Sequence, residues 1–285
     1  MFAVPCQLMA DNTVLVNFGA KSDSFDEESG WNNAKGEHHP LANIFNRTTT
    51  TLYDTTQQKS NLSVAMKVTS GAPLLEGIAN TQDLAPTTPS ASLKKMWKNA
   101  HGVELPDEVY ANHWAMGGVA GIATTTSVVV EGLNANSSYT VTGGFTVGGL
   151  ANVAAKNIPI ALGKVEDNQG ITLTNAYLIN KDGLVVDLLH LGDFSLAEVL
   201  KFETFTISWQ FETGANASSI QFDFASSLLD LTSADEMRFM AITEHIGAPT
   251  PPDITGGVDV LVPEPATTTL SVFALAGFLA RRRRK

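Results

Sequence analysis

A single cysteine, Cys6, stands in a chain of 285 residues. That excludes an internal disulfide and any multi-thiolate zinc site. Charge is scarce at 16% of residues, and cations are scarcer still, with 18 Lys and Arg against 29 Asp and Glu, a net −11 and a pI near 4.9. An acidic body repels nucleic acid phosphates and anionic lipid, so neither is expected as a broad partner. Long apolar runs are absent except for one near the C-terminus, which rules out a multi-span membrane protein. With 44% hydrophobic residues and a mean hydropathy of +0.04, the chain still has the material for a buried core, and intrinsic disorder is excluded.

Catalytic signatures are missing as well. The chain has no G-x-S-x-G elbow, no H-E-x-x-H, no G-x-x-x-x-G-K-[ST] and no G-x-G-x-x-G. The glycine-rich stretch Gly143 to Gly149 lies inside a β-pattern and reads as a bulge or tight bend rather than a phosphate cradle. His38 and His39 are adjacent, so their side chains diverge, and they read as a solvated loop. Asp23, Asp26 and Glu28 are the one oxygen-rich group that suits a structural calcium, although their spacing matches no EF-hand loop. No other metal and no cofactor is expected.

What is present is mostly period two. Phe205, Ile207, Trp209 and Phe211 alternate with Thr206, Ser208 and Gln210, and Ile220, Phe222 and Phe224 alternate with Gln221 and Asp223, the mark of half-buried strands. Further β-rich segments span Thr13 to Phe18, Leu62 to Thr69, Thr124 to Glu131, Tyr139 to Val147, Ile158 to Leu162, Ile171 to Ile179 and Leu184 to Leu189. Helix signals are few. Ser90 ahead of Ala91 to Ala100 with Gly102 behind has a cap and a stop, and Ser195 to Glu198 forms a capping box. The expectation is an all-β domain over residues 11–246, an antiparallel β-sandwich or jelly roll with a few short helices. Leu133 and Tyr139, six apart across a turn, are similar to the tyrosine corner of fibronectin-type sandwiches.

Charge is unevenly placed. The last five residues, Arg281, Arg282, Arg283, Arg284 and Lys285, are all basic, which leaves 13 basic against 29 acidic side chains in residues 1–280, net −16. Before this stub, Ala266 to Ala280 has neither charge nor proline. As a helix its fifteen residues would span roughly 22 Å, short of a ~30 Å hydrocarbon core but sufficient as a marginal single transmembrane helix. Basic residues next to a span stay cytoplasmic, so the stub reads as a stop-transfer element and the body as exported. Residues 247–261, rich in Pro, Gly and Thr, read as a linker. Met1 to Ala10 has no basic n-region and reads as a signal-peptide remnant.

Immediately ahead of the span stand Pro263, Glu264 and Pro265. Pro-Glu-Pro, a short apolar span and a terminal arginine cluster, in that order, closely resemble the PEP-CTERM sorting signal of bacterial proteins handled by exosortase. The resemblance covers about the last 24 residues. It implies recognition of Pro263, Glu264 and Pro265 by an exosortase-type sorting protease, transient anchoring of residues 262–285 in the inner membrane, and removal of the tail. The product would then reach the cell surface, outer membrane or extracellular matrix.

The expected function follows: an exported, non-enzymatic surface or matrix protein. One alternative is a carbohydrate-binding protein whose exposed aromatics, Trp31, Trp97 and Trp114, meet an extracellular polysaccharide, and the other is a jelly-roll glycan hydrolase using two carboxylates.

Overall fold

The structure is a computed structural model that describes residues 12–20, 22–35, 47–49, 51–70, 88–112, 114–116, 124–147, 161–165, 170–180, 185–187, 204–226 and 235–246. Among these residues the fold is mostly β, with two short helices. Numbered in chain order, the strands of the larger sheet run across it as β11 (Val185–Asp187), β10 (Ile171–Asn180), β12 (Thr204–Thr213), β8 (Ser138–Val147), β14 (Asp235–His245), β1 (Asn12–Ala20), β3 (Trp31–Lys35) and β2 (Ser24–Asp26). β6 (Trp114–Met116) pairs with the first residues of β14. The smaller sheet runs β4 (Arg47–Thr48), β5 (Ser63–Ser70), β7 (Thr124–Glu131), β13 (Ser219–Ser226) and β9 (Ala161–Val165).

The two sheets meet over one apolar core because alternating strands send every second side chain to the same side. From the larger sheet come Val14 and Val16, Val141, Ile207 and Trp209, and Ile242; from the smaller come Val64, Met66, Val128, Val130, Ile220 and Phe222. Trp209 spans the gap, its ring centroid 4.4 Å from that of Phe222. Period two in the sequence thus marks the strands with the correct inward face. Gly143 and Gly144 sit in the middle of β8, where aromatic rings lie on the backbone. A Cβ on Gly144 would fall 2.2 Å from the Phe239 ring, so glycine there permits close approach, not ligand binding.

Two departures from the expected architecture concern β1 and its neighbours. Every pair is antiparallel except β1 with β3, which run parallel in the register Leu15 to Trp31 and Asn17 to Asn33. β3 lies between β1 and β2, so the chain passes β3's place before returning to fill it. Both sheets are open. Of the other expected features, the capping box at Ser195, the linker 247–261 and the apolar span 266–280 lie outside the described residues. Among the described residues no helix is long and apolar enough to cross a membrane.

The outer face of the larger sheet carries a second core. Helix α1 (Ala91–His101) forms where the sequence signals it, with Ser90 Oγ accepting from Leu93 N–H at 3.1 Å and Gly102 in the left-handed region at φ 72°. Helix α2 (Asp107–Ala111) follows. Leu93 and Trp97 of α1 and Val109 and Tyr110 of α2 pack on Leu15, Trp31, Phe239 and Ala241. Locally the molecule has three layers: helices, larger sheet, smaller sheet.

The turn ahead of β8 is held as the Leu133 and Tyr139 spacing anticipates. Tyr139 is buried, and its hydroxyl accepts from Asn134 N–H at 2.9 Å. Burial pushes the phenol up to about 12, so it stays protonated. Tyr139→Phe leaves that N–H without its acceptor and should lower stability by about 1–2 kcal/mol in denaturant unfolding. Gly144→Ala forces the buried Phe239 ring off its seat and should lower it by about 2 kcal/mol. A neutral Gly144→Ala would contradict the close approach described for β8.

Candidate functional site

Asn17 interrupts the apolar run Val14-Leu15-Val16 and is followed by Phe18. It lies in β1 on the same side as Leu15, toward the helices, and is 2% exposed. The parallel register sets Asn33 beside it, and Asn17 Nδ2 donates to Asn33 Oδ1 at 2.7 Å. Asn112, just past α2, donates through Nδ2 to Asn17 Oδ1 at 3.4 Å, and Asn33 Nδ2 donates to Ser24 Oγ at 3.2 Å. Three amides therefore link the end of α2, the middle of β1 and the edge hairpin of β2 and β3.

Over this relay opens a cleft of about 350 Å³ between the sheet edge and the α2 segment. Ser22, Asp26, Ser29 and Glu108 line it along with the asparagines, and Ala20, Trp31, Pro106 and Val109 supply apolar walls. Among the described residues it holds two carboxylates and no Lys, Arg or His. Asp26 is already engaged: Oδ1 accepts from Glu28 N–H at 3.0 Å and Ser29 N–H at 3.3 Å, and Oδ2 accepts from Ser29 Oγ–H at 2.6 Å. The Ser29 hydroxyl in particular holds this carboxyl below its ordinary range.

The residues singled out in the sequence fall elsewhere. Trp31 and Trp97 are 1% and 2% exposed and stack on each other with centroids 5.7 Å apart, so neither offers a face to a sugar. In the sequence both stand in loops or short helices rather than alternating strands; the helical layer over the sheet buries them. Trp114 lies in β6 opposite Met237. Among the described residues, Asp23, Asp26 and Glu28 included, no three His, Cys, Asp or Glu side chains are grouped to hold a metal. Asp26 instead closes the β2–β3 turn. His38, His39, the Pro263–Glu264–Pro265 motif and the stop-transfer cluster Arg281 to Lys285 lie outside the described residues. The cleft itself escaped the sequence reading. Its one local signal is a lone asparagine inside an apolar strand.

No protein-family model, curated protein or solved structure matches the chain.

One more buried polar group stands beside the second core. His101, the last residue of α1, packs 4.2 Å from Trp97 between ring centroids, and both of its ring nitrogens are enclosed without a hydrogen-bond partner among the described residues. Burial, aided by the nearby charge of His245, lowers its pKa from 6.5 to about 4. The unfolded chain therefore takes the proton first. Stability owed to neutral His101 is complete above pH 6.5 and is lost as pH falls toward 4, by roughly 3 kcal/mol in all. Unfolding of wild type and His101→Phe, compared at pH 7.5 and pH 4.5, should show a smaller acid loss in the variant. Equal losses would contradict the burial of a neutral imidazole.

Proposed function

We propose that this protein is an exported cell-surface or extracellular-matrix component without enzymatic activity, sorted by its C-terminal tail. The observation that carries the reading is the order of three elements in the last 24 residues: Pro263-Glu264-Pro265, the uncharged span Ala266 to Ala280, and Arg281 to Lys285. Physical chemistry is compatible with each step. Two prolines one residue apart cannot continue a helix and present extended chain to a protease at the membrane face. The basic cluster keeps its end cytoplasmic, and the short span anchors residues 262–285 until cleavage. The partners are then an exosortase-type protease and, transiently, the inner membrane.

Support for a body that is a β-sandwich of structural rather than catalytic role comes from its chemistry. An acid catalyst of glycoside cleavage needs a raised carboxyl pKa. Asp26, one of the two carboxylates lining the cleft, is held in the opposite direction by its turn. The acidic charge of residues 1–280, net −16, also suits a secreted, soluble product once the basic stub is removed.

In the native host, Pro263→Ala or Glu264→Ala should accumulate an uncleaved form that fractionates with membranes. Deletion of Arg281 to Lys285 should reduce its retention there. Mature mass and location identical to wild type in the Pro263 and Glu264 variants, read by mass spectrometry and fractionation, would overturn the sorting reading.

A further inference from the structure

The cleft over the asparagine relay is independent of the tail and of the sorting reading. Its volume of about 350 Å³ falls within the range of small-molecule sites, roughly 300–1,000 Å³. Its chemistry narrows the ligand. Asp26 and Glu108 line it with no cation among the described residues, a field that disfavours anions. A hard metal ion would find too few oxygens, because Asp26 spends both carboxylate oxygens on its turn and no third acid joins the pair among the described residues.

What remains on offer is a mixture of donors and acceptors. Asn17 carries two amide N–H groups and gives one to Asn33, and the second has no acceptor among the described residues. That side chain is only 2% exposed, so Asn17 acts through the relay, its Oδ1 fixing Asn112 at the wall of the cleft. At the mouth, Asn112 uses only one amide N–H and its Oδ1 makes no hydrogen bond among the described residues; the Glu108 carboxylate is exposed. A hydroxyl group both donates and accepts, and so can meet all three. Pro106, half-buried in the wall, offers short apolar surface of the kind that covers the C–H face of a sugar ring.

We propose that this cleft binds a neutral sugar residue, held at the mouth by the Asn112 amide and the Glu108 carboxylate, with Asn17 positioning Asn112 from behind. Trp31, lining the cleft but 1% exposed and stacked on Trp97, supplies no open platform, so recognition rests on hydrogen bonds. A single residue bound that way has an affinity of roughly millimolar order, and a chain of residues gains from repeated engagement.

The test uses the full chain in a non-glycosidic detergent, titrated with glucose, galactose, N-acetylglucosamine and their short oligomers, by saturation-transfer NMR and calorimetry. At least one of these should bind, with affinity weakened about tenfold by Asn112→Ala and by Glu108→Gln and abolished by Ser22→Trp, which fills the mouth. All three positions are at the surface or partly exposed, and unchanged melting temperatures would confirm that the fold is kept. No binding by any of the sugars at about 50 mM, roughly fifty times the millimolar constant expected, would overturn the proposal. So would sugar binding that all three variants leave intact, or saturation of the cleft by calcium in place of sugar. None of these outcomes bears on tail cleavage, so the two readings fail separately.

Discussion

The whole molecule depends on burying β14 from both sides. Seven consecutive residues of that strand, Met237 to Thr243, are buried. Met237, Met240 and Ile242 enter the core between the sheets, and Phe239 and Ala241 enter the core under the helices. Strict alternation cannot put 237 and 240 on one face. A bulge between Met237 and Phe239 makes it possible, because one extra residue, Arg238, shifts the phase of everything after it. The extra residue is not left exposed. Its guanidinium donates to the Tyr110 carbonyl and lies 5.2 Å from the Tyr110 ring centre, tying α2 to the strand.

From that strand the other parts take their positions. β8 accepts the Phe239 ring over Gly144, and β1 pairs along the other edge from Asn12 to Asn17. β1 then sets β3 in parallel, and Asn32 of β3 pins the neighbouring loop by donating to the Leu15 and Tyr53 carbonyls and accepting from Tyr53 N–H. The helices rest on Phe239 and Ala241, with Lys94 to Asp107 at 2.6 Å as a surface pair that adds little energy of its own. Only when α2 is seated in this way does Asn112 reach Asn17. The cleft is thus a consequence of the outer core, several steps removed from any local sequence signal.

That chain of dependence explains what could be read from the sequence. β12 and β13 are legible because their apolar residues alternate with polar ones, and α1 because Ser90 and Gly102 mark its ends. β12 nonetheless hides more than alternation suggests: Thr206, Ser208 and Gln210 are buried too, with Ser208 bonded to Thr142 and Gln210 to Asn175. β14 was missed outright. Buried on both faces and shifted by a bulge, Glu236-Met237-Arg238-Phe239-Met240-Ala241 shows no period two and is full of good helix formers. The burial of Trp31 and Trp97 is not legible, because their covering layer is assembled from residues far apart in the chain. The asparagine relay joins positions 16 and 95 residues apart, and no window along the sequence contains it. The tail is the reverse case, a linear pattern contained in one window of the sequence.

Hydrogen exchange on the folded protein tests the central role of β14 most directly. If the strand is the element on which both cores close, the amides of Phe239 to Ile242 should exchange only by global unfolding, with protection equal to the full unfolding free energy. Edge strands β2 and β11 should exchange far faster. Exchange of the Phe239 to Ile242 amides at edge-strand rates, through local opening, would contradict the account.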